Sequence, residues 1–215
     1  MRVVIDGIEV EAREGETILE AARRAGTKIP TLCHIPGLFR EATCRICLVE
    51  LKNGRLVPAC AFPVSDGLEV RTATPRVLKT RRMVLELLLA AHRIKCWSCL
   101  RKGACLLLRL CKELGVEGIP VCAECPLPEE ECMLAQGEVC LGPITVAGCD
   151  AACIREGRPC TGCRGPVTRR DVLEEAVATY RRHGVPLSKV LEALSTFCSS
   201  SRAYEEVRRL LGDRA

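Results

Sequence analysis

The amino-acid sequence predicts an α+β fold that bound groups, rather than a large apolar core, hold together. A β-β-α-β-β-β pattern occupies residues 1–72, and helical patterns dominate from residue 75 onward. The 215 residues include 17 cysteines, but only 3% are aromatic. Because a small domain with little packing mass needs cross-links or bound metal, we expect the cysteines to supply them.

Two strand pairs are predicted where alternating apolar and polar residues flank a tight-turn dipeptide. Residues 3–10 alternate around Asp6-Gly7, and residues 46–51 and 55–59 flank Asn53-Gly54. Asp-Gly and Asn-Gly favour the two-residue turns of β-hairpins. Each of these regions is therefore predicted to form a hairpin.

A short helix is predicted between the two hairpins. Thr17 and Glu20 have the spacing of a capping box, and Gly26 is a suitable stop. Residues 68–72 alternate again and add a last strand. This order of elements suits a small mixed sheet that packs on one helix.

A longer helix is predicted from Thr74-Pro75 to His92, because proline is favoured at the first helical position. Its apolar face is interrupted only by Arg81, and a second helix is predicted at residues 105–114. The predicted apolar face comprises Val77, Leu78, Val84, Leu85 and Leu88.

The rest of the chain has two parts. Residues 116–166 are rich in Cys, Pro and Gly and show no clear period, so we expect bound metal to organise them. Helices are predicted at 168–183, 187–198 and 201–211. Their apolar stripes could close a small bundle or dock a partner, and the sequence leaves both interpretations open.

Cysteine usage favours metal binding over disulfide bonds. Residues 1–17 are charged and lack the apolar core of a signal peptide, so we expect a cytoplasmic protein without a membrane span. Closely spaced cysteines in a cytosolic chain more often bind metal. The net charge of +5 does not indicate nucleic-acid binding, because metal-bound cysteines are thiolates and the aromatic interleaving of single-strand binders is missing.

The first cysteine set has the spacing C-x10-C-x2-C-x12-C and comprises Cys33, Cys44, Cys47 and Cys60. A close pair within a loop, one ligand before it and a distant fourth favour a rhombic 2Fe–2S cluster, in which one thiolate pair binds each iron. Zinc is the alternative, but it would favour two C-x2-C pairs.

The residues around this set carry a family resemblance. TLCHIPGLFREATCRICLVEL and LVPACAFPVSDGLEVRT resemble the 2Fe–2S domain at the start of the large iron–sulfur subunit of respiratory complex I. They are also similar to the electron-transfer subunits of NAD-linked and iron-only hydrogenases. The resemblance covers residues 1–74 and implies a β-grasp, plant-ferredoxin-like fold.

The second set has the spacing H-x3-C-x2-C-x5-C and comprises His92, Cys96, Cys99 and Cys105. A histidine at a helix end is more often a cap or a surface group, but its spacing to three cysteines favours a ligand. The same families carry a 4Fe–4S cluster held by one His and three Cys at this spacing, so the resemblance extends to about residue 112. A neutral imidazole in place of a thiolate predicts a higher potential.

Eight further cysteines can hold two 4Fe–4S clusters: Cys122, Cys125, Cys132, Cys140, Cys149, Cys153, Cys160 and Cys163. The stretch CLGPITVAGCDAACIREGRPCTGCRGP resembles the C-terminal cluster region of the small subunit of cytosolic nickel–iron hydrogenases, over residues 120–167. By order, the resemblance implies that the first four hold one cluster and the last four the next. Geometry alone would allow neighbouring sets to exchange a ligand. Cys111 and Cys198 are interpreted as small buried apolar residues.

The four sets together predict a multi-cluster electron-transfer subunit with one 2Fe–2S and three 4Fe–4S clusters and no catalytic site of its own. No G-x-G-x-x-G follows a strand, so we expect this chain to bind neither flavin nor NAD. The resemblance implies a relay between a flavin- and NAD(P)-binding subunit and a nickel–iron hydrogenase small subunit, within a hetero-oligomer that could be electron-bifurcating. The alternatives are a relay in another soluble complex, such as a formate dehydrogenase or a sulfur or disulfide reductase, and a zinc-stabilised interaction module.

Four domains are predicted in chain order. A 2Fe–2S ferredoxin-like β-grasp domain occupies 1–74, and a helical 4Fe–4S domain with one histidine and three cysteine ligands occupies 75–116. A hydrogenase-small-subunit-like segment with two 4Fe–4S clusters occupies 117–167, and the C-terminal helices occupy 168–215.

Overall fold

The structure, a computed structural model, describes residues 1–40, 42–200 and 202–212. The chain forms two compact units: residues 1–91 with 113–116, and residues 92–112 with the described part of 117–215. The predicted last helix begins at residue 201 and the predicted last domain ends at residue 215, and both positions lie outside the described residues. None of the described helices is long and apolar enough to cross a membrane.

The first unit is built on a five-stranded mixed sheet. In chain order the strands are β1 Arg2–Ile5, β2 Ile8–Glu11, β3 His34–Ile35, β4 Phe39–Arg40, β5 Leu48–Leu51, β6 Leu56–Pro58 and β7 Leu68–Arg71. The sheet order is β2-β1-β7-β5-β6, in which β1 and β7 run parallel and the other neighbours run antiparallel. The predicted hairpins and last strand are therefore confirmed. The β3–β4 pair was not predicted, because two-residue strands are too short to show alternation.

Helix α1, Ile18–Arg24, packs its apolar face on this sheet. The predicted capping box is present: the Glu20 backbone N–H donates to Thr17 Oγ1 at 3.3 Å, and the Thr17 N–H donates to the Glu20 carboxylate at 2.9 Å. Ile18 and Leu19 are completely buried among apolar side chains of the sheet. Full burial of such a side chain contributes about 1.5–3 kcal/mol, so this face fixes the helix on the sheet.

Helix α2, Pro75–Ala91, begins where the sequence predicts, and Thr74 Oγ1 accepts the Val77 backbone N–H at 3.2 Å. Its buried face differs from the predicted one. The buried residues recur every fourth position: Val77, Arg81, Leu85 and Leu89. Leu78, which was predicted to face the core, is 41% exposed. The rest of the predicted face is confirmed, because Val77 and Leu85 are buried and Val84 and Leu88 are half-buried. Arg81, the charged residue predicted within this face, is buried there as well.

The second unit contains the cysteine-rich segment and the C-terminal helices. Helix α3 spans Leu106–Leu114, α4 spans Ala152–Arg155, α5 spans Arg170–Arg182, α6 spans Leu187–Cys198 and α7 spans Arg202–Gly212. The three C-terminal helices pack on one another, and α5 also packs against the short turn Gly142–Ile144 of the cysteine-rich segment. The described helices therefore use their apolar stripes to pack on one another, which is the first of the two interpretations.

Candidate iron–sulfur cluster sites

The four cysteines of the first set meet in the first unit. Cys44 and Cys47 lie in the loop that precedes β5, and Cys60 follows β6. The Cys33 side chain lies beside that of Cys44, and the Cys60 side chain lies beside that of Cys47. Burial and, to a lesser extent, the three neighbouring cysteines together raise the pKa of Cys60 to about 12. Two thiol pairs in one place fit the two irons of a 2Fe–2S cluster, each bound by one pair.

The loop before β5 turns its backbone toward these sulfurs. Ala42 and Arg45 have positive φ angles of 51° and 55°, which non-glycine residues rarely adopt. Burial acts to raise the pKa of Cys33, but hydrogen bonds from Cys44 and Thr43 outweigh it, so that the pKa is lowered. Oriented backbone N–H groups stabilise bound anions, and these groups would do the same for an anionic cluster.

Three cysteines of the second set share one site in the second unit. Burial and, to a lesser extent, nearby Cys105 and Cys99 together raise the pKa of Cys96 to about 12. The backbone N–H of Arg101 donates to Cys99 Sγ, and that of Leu108 donates to Cys105 Sγ, each at 3.4 Å. Such N–H···S bonds favour the thiolates that bind iron.

His92 is the fourth predicted ligand of this set. Its side chain is exposed, directly after the end of α2, and its carbonyl accepts a hydrogen bond from Arg169 Nη2 at 3.3 Å. Within the described residues, no three His, Cys, Asp or Glu side chains are grouped as they would be around one metal ion. The four ligands of a 4Fe–4S cluster each bind a different iron and therefore lie farther apart than the ligands of a single metal ion. The role of His92 remains a prediction.

We expect a His92→Cys variant to keep its cluster and to lower the midpoint potential of that cluster. The reason is that a thiolate adds negative charge where imidazole is neutral, and this disfavours the reduced form. EPR-monitored redox titration measures the shift. Ala91→Cys is the matched control, because it places a thiol one residue away and keeps the histidine. Equal potentials in wild type and His92→Cys would remove His92 from the ligand set.

The third set lines a single cavity of the second unit. Its four cysteines surround the cavity together with Trp97, Leu127, Met133, Leu134, Pro143 and Ile154, among others. The cavity volume is about 20 Å³. Burial raises the pKa of Cys122 well above its usual value, and Cys140 and Cys125 raise it further. Four sulfur donors around one largely apolar cavity fit a 4Fe–4S cluster.

The backbone at Gly142 lies close to the cysteines of this cavity. A Cβ atom at Gly142 would lie 3.3 Å from Cys122 Sγ and 3.5 Å from Cys140 Sγ. The fully buried Tyr180 of α5 donates its O–H to the Cys140 carbonyl at 3.0 Å. Gly142 thus allows the sulfurs of Cys122 and Cys140 to approach the backbone closely. Helix α5 contacts the same site through Tyr180.

The fourth set lies directly beside the third. Burial raises the pKa of Cys160, hydrogen bonds from Gly162 and Thr145 lower it, and nearby Cys149 and Cys153 raise it again. The Cys160 backbone N–H also donates to Cys140 Sγ of the third set at 3.3 Å. Cys140, the last predicted ligand of the third set, is therefore adjacent to Cys160, the third predicted ligand of the fourth set.

Cys163 and the two cysteines without a predicted ligand role differ in exposure. Cys163 is exposed. Burial raises the pKa of Cys198, and Cys163 raises it further, so the two thiols are neighbours. Cys111 and Cys198 are both buried, as expected for small apolar residues.

Sequence reasoning missed Glu124, which organises the fourth set. Its buried carboxylate accepts the backbone N–H groups of Gly148 at 2.8 Å, Cys149 at 3.2 Å and Ala151 at 3.3 Å. Lys112 Nζ pairs with the same carboxylate at 2.6 Å. Ala151 has a strained positive φ of 52°, which this carboxylate supports. The backbone groups that donate to Glu124 lie 24–27 residues away in the chain, so no spacing pattern could reveal this role.

Comparison with known proteins identifies the first half of the chain. Residues 1–75 match the family described as 2Fe-2S iron-sulfur cluster binding domain. Residues 81–120 match the family described as NADH-ubiquinone oxidoreductase-G iron-sulfur binding region.

Individual relatives agree with these matches. The chain is 41% identical over 126 residues, or 56% of its length, to NADP-reducing hydrogenase subunit HndD of Solidesulfovibrio fructosivorans. It is 42% identical over 106 residues, or 49% of its length, to the NADH-ubiquinone oxidoreductase 75 kDa subunit of Reclinomonas americana. A solved structure of NAD+-reducing [NiFe]-hydrogenase in the H2-reduced state aligns over 53% of this chain and 48% of that one, with 37% identity and a TM-score of 0.50.

The matches cover only part of each protein. The chain spans 22% of the HndD subunit and 15% of the 75 kDa subunit. The matched residues include the first and second predicted ligand sets, and the five-stranded sheet with α1 lies within the first match. The first two predicted ligand sets therefore lie in the parts of the chain that match iron–sulfur families, residues 1–75 and 81–120.

Proposed function

We propose that this chain is an electron-transfer subunit that carries one 2Fe–2S and three 4Fe–4S clusters. The observation that carries the proposal is the presence of four successive ligand sets in one chain, the first two within matched iron–sulfur families. The convergence of the third set on one apolar cavity supports a further cluster there. No nucleophile–base constellation was found in the sequence, so we assign the chain no catalytic step of its own.

The proposed ligands are those of the sequence prediction. Cys33, Cys44, Cys47 and Cys60 hold the 2Fe–2S cluster, and His92, Cys96, Cys99 and Cys105 hold the first 4Fe–4S cluster. Cys122, Cys125, Cys132 and Cys140 hold the next one, and Cys149, Cys153, Cys160 and Cys163 hold the last. When bound, the clusters supply one-electron transfer, while the protein supplies the thiolates, the N–H···S bonds and the dry cavity walls that tune them.

The proposed partners are a flavin- and NAD(P)-binding subunit and a nickel–iron hydrogenase small subunit in the cytoplasm. Two relatives bear the names of NADP-reducing and NAD+-reducing hydrogenases, which supports a hydrogenase complex. The resemblance of residues 120–167 to the C-terminal cluster region of a hydrogenase small subunit supports the second partner. An electron-bifurcating complex is a special case of this arrangement.

A second candidate is a relay in another NAD-linked complex. The identity of 42% to an NADH-ubiquinone oxidoreductase subunit over 106 residues favours it, because the first two ligand sets lie in the part shared with that subunit. The two candidates differ in what the third and fourth ligand sets contact.

Cross-linking of the complex purified from its native source, followed by mass spectrometry, separates the two candidates. We expect residues 1–112 to cross-link to a flavin-binding subunit and residues 140–166 to cross-link to a hydrogenase small subunit. Contacts of both regions with the flavin-binding subunit, in a complex without a hydrogenase small subunit, would contradict the hydrogenase assignment. The more general electron-transfer proposal would survive that result.

A further inference from the structure

Arg81 is a buried cation in the first unit. It is only 4% exposed and lies in the row of α2 that otherwise buries Val77, Leu85 and Leu89. Among the described residues it forms no ion pair within 4 Å of a carboxylate, in contrast to its neighbour Arg82, which pairs with Glu86 on the surface. A buried guanidinium without a close carboxylate is costly, so its position calls for a compensating interaction.

The guanidinium of Arg81 reaches the strand that begins beside the 2Fe–2S ligands. Arg81 Nε and Nη2 both donate to the Leu48 carbonyl, at 3.2 and 2.7 Å. Leu48 follows Cys47 directly, and Cys47 is 1% exposed. The pKa of Arg81 is lowered to about 10, because burial, which lowers it, outweighs the negative charges of Cys47 and Asp6, which raise it. Arg81 is therefore still protonated at neutral pH and is electrostatically close to Cys47.

Two negative charges act on Arg81 from elements that lie near it. One is Cys47 in the loop before β5, and the other is Asp6 in the β1–β2 turn. Asp6 is held elsewhere, because its carboxylate accepts the backbone N–H of Thr72 at 2.7 Å and the hydroxyl of Thr72 at 2.5 Å. Charge–charge interactions are stronger in the protein interior than in water. The thiolate of Cys47 is thus the negative group with which a desolvated Arg81 interacts most directly.

We propose that Arg81 is a positioning residue of the 2Fe–2S site, which anchors the peptide after Cys47 and raises the midpoint potential of the cluster with its buried charge. Reduction adds one electron to the cluster and moves no proton, so a fixed positive charge nearby favours the reduced form. The inference rests on the proposed role of Cys47 as a ligand. It adds a residue of α2, which lies outside the cysteine loop, to the determinants of the potential.

The test is EPR-monitored redox titration of the 2Fe–2S signal in the full chain with all its clusters. Arg81→Gln keeps a donor for the Leu48 carbonyl but removes the charge, and Arg81→Lys keeps the charge. Arg82→Gln is the matched control, since it makes the same charge change one residue away at a side chain that is 53% exposed. We expect Arg81→Gln to reduce the ratio of reduced to oxidised cluster at a fixed potential about tenfold, or about 59 mV for one electron. Arg81→Lys and Arg82→Gln should stay near the wild-type value.

The outcomes distinguish the inference from a purely structural role. A structural role predicts lower thermal stability for Arg81→Gln at an unchanged potential, and that result would overturn the inference. If Arg81→Gln does not fold, the Arg81→Lys variant provides the test. A folded Arg81→Lys variant whose midpoint potential is about 59 mV lower, as expected for loss of the charge, would also overturn the inference. Absence of a 2Fe–2S signal from the wild-type chain would instead refute the ligand assignment itself.

Discussion

Protein purified without exposure to oxygen is expected to contain about 14 irons per chain, two from the 2Fe–2S cluster and twelve from three 4Fe–4S clusters. Each ligand set is complete in the sequence, and the four cysteines of the third set line one cavity. Iron and acid-labile sulfide analysis, normalised by amino-acid analysis, measures the content. Zinc determined in the same sample tests the alternative of a zinc-stabilised module.

Substitution of the third set provides the internal comparison. A Cys122→Ser, Cys140→Ser variant should lose about four irons, because a 4Fe–4S cluster is not retained by half of its ligands. Cys111→Ala is the control, since it removes a buried cysteine that has no predicted ligand role. A wild-type content near six irons would mean that residues 122–163 bind no cluster, and it would leave only the first two sets as iron sites.

The second large effect is expected at the other end of the proposed relay. Joint replacement of Cys160 and Cys163 by serine should abolish hydrogen-dependent NAD(P)+ reduction by the purified complex. The reason is that electrons would have to pass the fourth cluster to reach the rest of the chain. Reduction of an artificial acceptor by NAD(P)H at the flavin end should persist, because that reaction does not use the fourth cluster.

A nearby cysteine provides the control for this experiment. Cys198 lies beside Cys163 but has no predicted ligand role, so Cys198→Ala should leave both reactions intact. Loss of both reactions in the Cys160 and Cys163 variant, with an intact complex, would place the fourth set on the flavin side. Retention of both reactions would show that this set is not on the electron path between hydrogen and NAD(P).

Much of the first unit was predictable because its signals are local. The capping box of Thr17 and Glu20 needs only a spacing of three residues, and it is present. The Asp6-Gly7 and Asn53-Gly54 turns fix the two hairpins for the same reason. The face of α2 was predicted in part: Val77 and Leu85 are buried as expected, but spacing alone could not show that Leu78 is exposed or that Arg81 is buried.

The ligand sets were also predictable only in part from the sequence. The pairing of Cys33 with Cys44 and of Cys47 with Cys60 is visible only in the structure, although the spacing had indicated a 2Fe–2S site. The order of the eight later cysteines left exchange between neighbouring sets open, and the contact from Cys160 to Cys140 shows how closely those sets approach. His92 is identified by spacing and resemblance alone.

The sequence by itself determined which elements form and which cysteines are available as ligands, because strand alternation, capping and ligand spacing are properties of residues close in the chain. Only the tertiary structure decided how the backbone and the charges surround those ligands. Arg81 meets the Leu48 carbonyl across 33 residues, and Glu124 meets the Cys149 loop across 24–27 residues. Such contacts depend on how distant elements pack, and the burial that gives each charge its effect exists only after that packing.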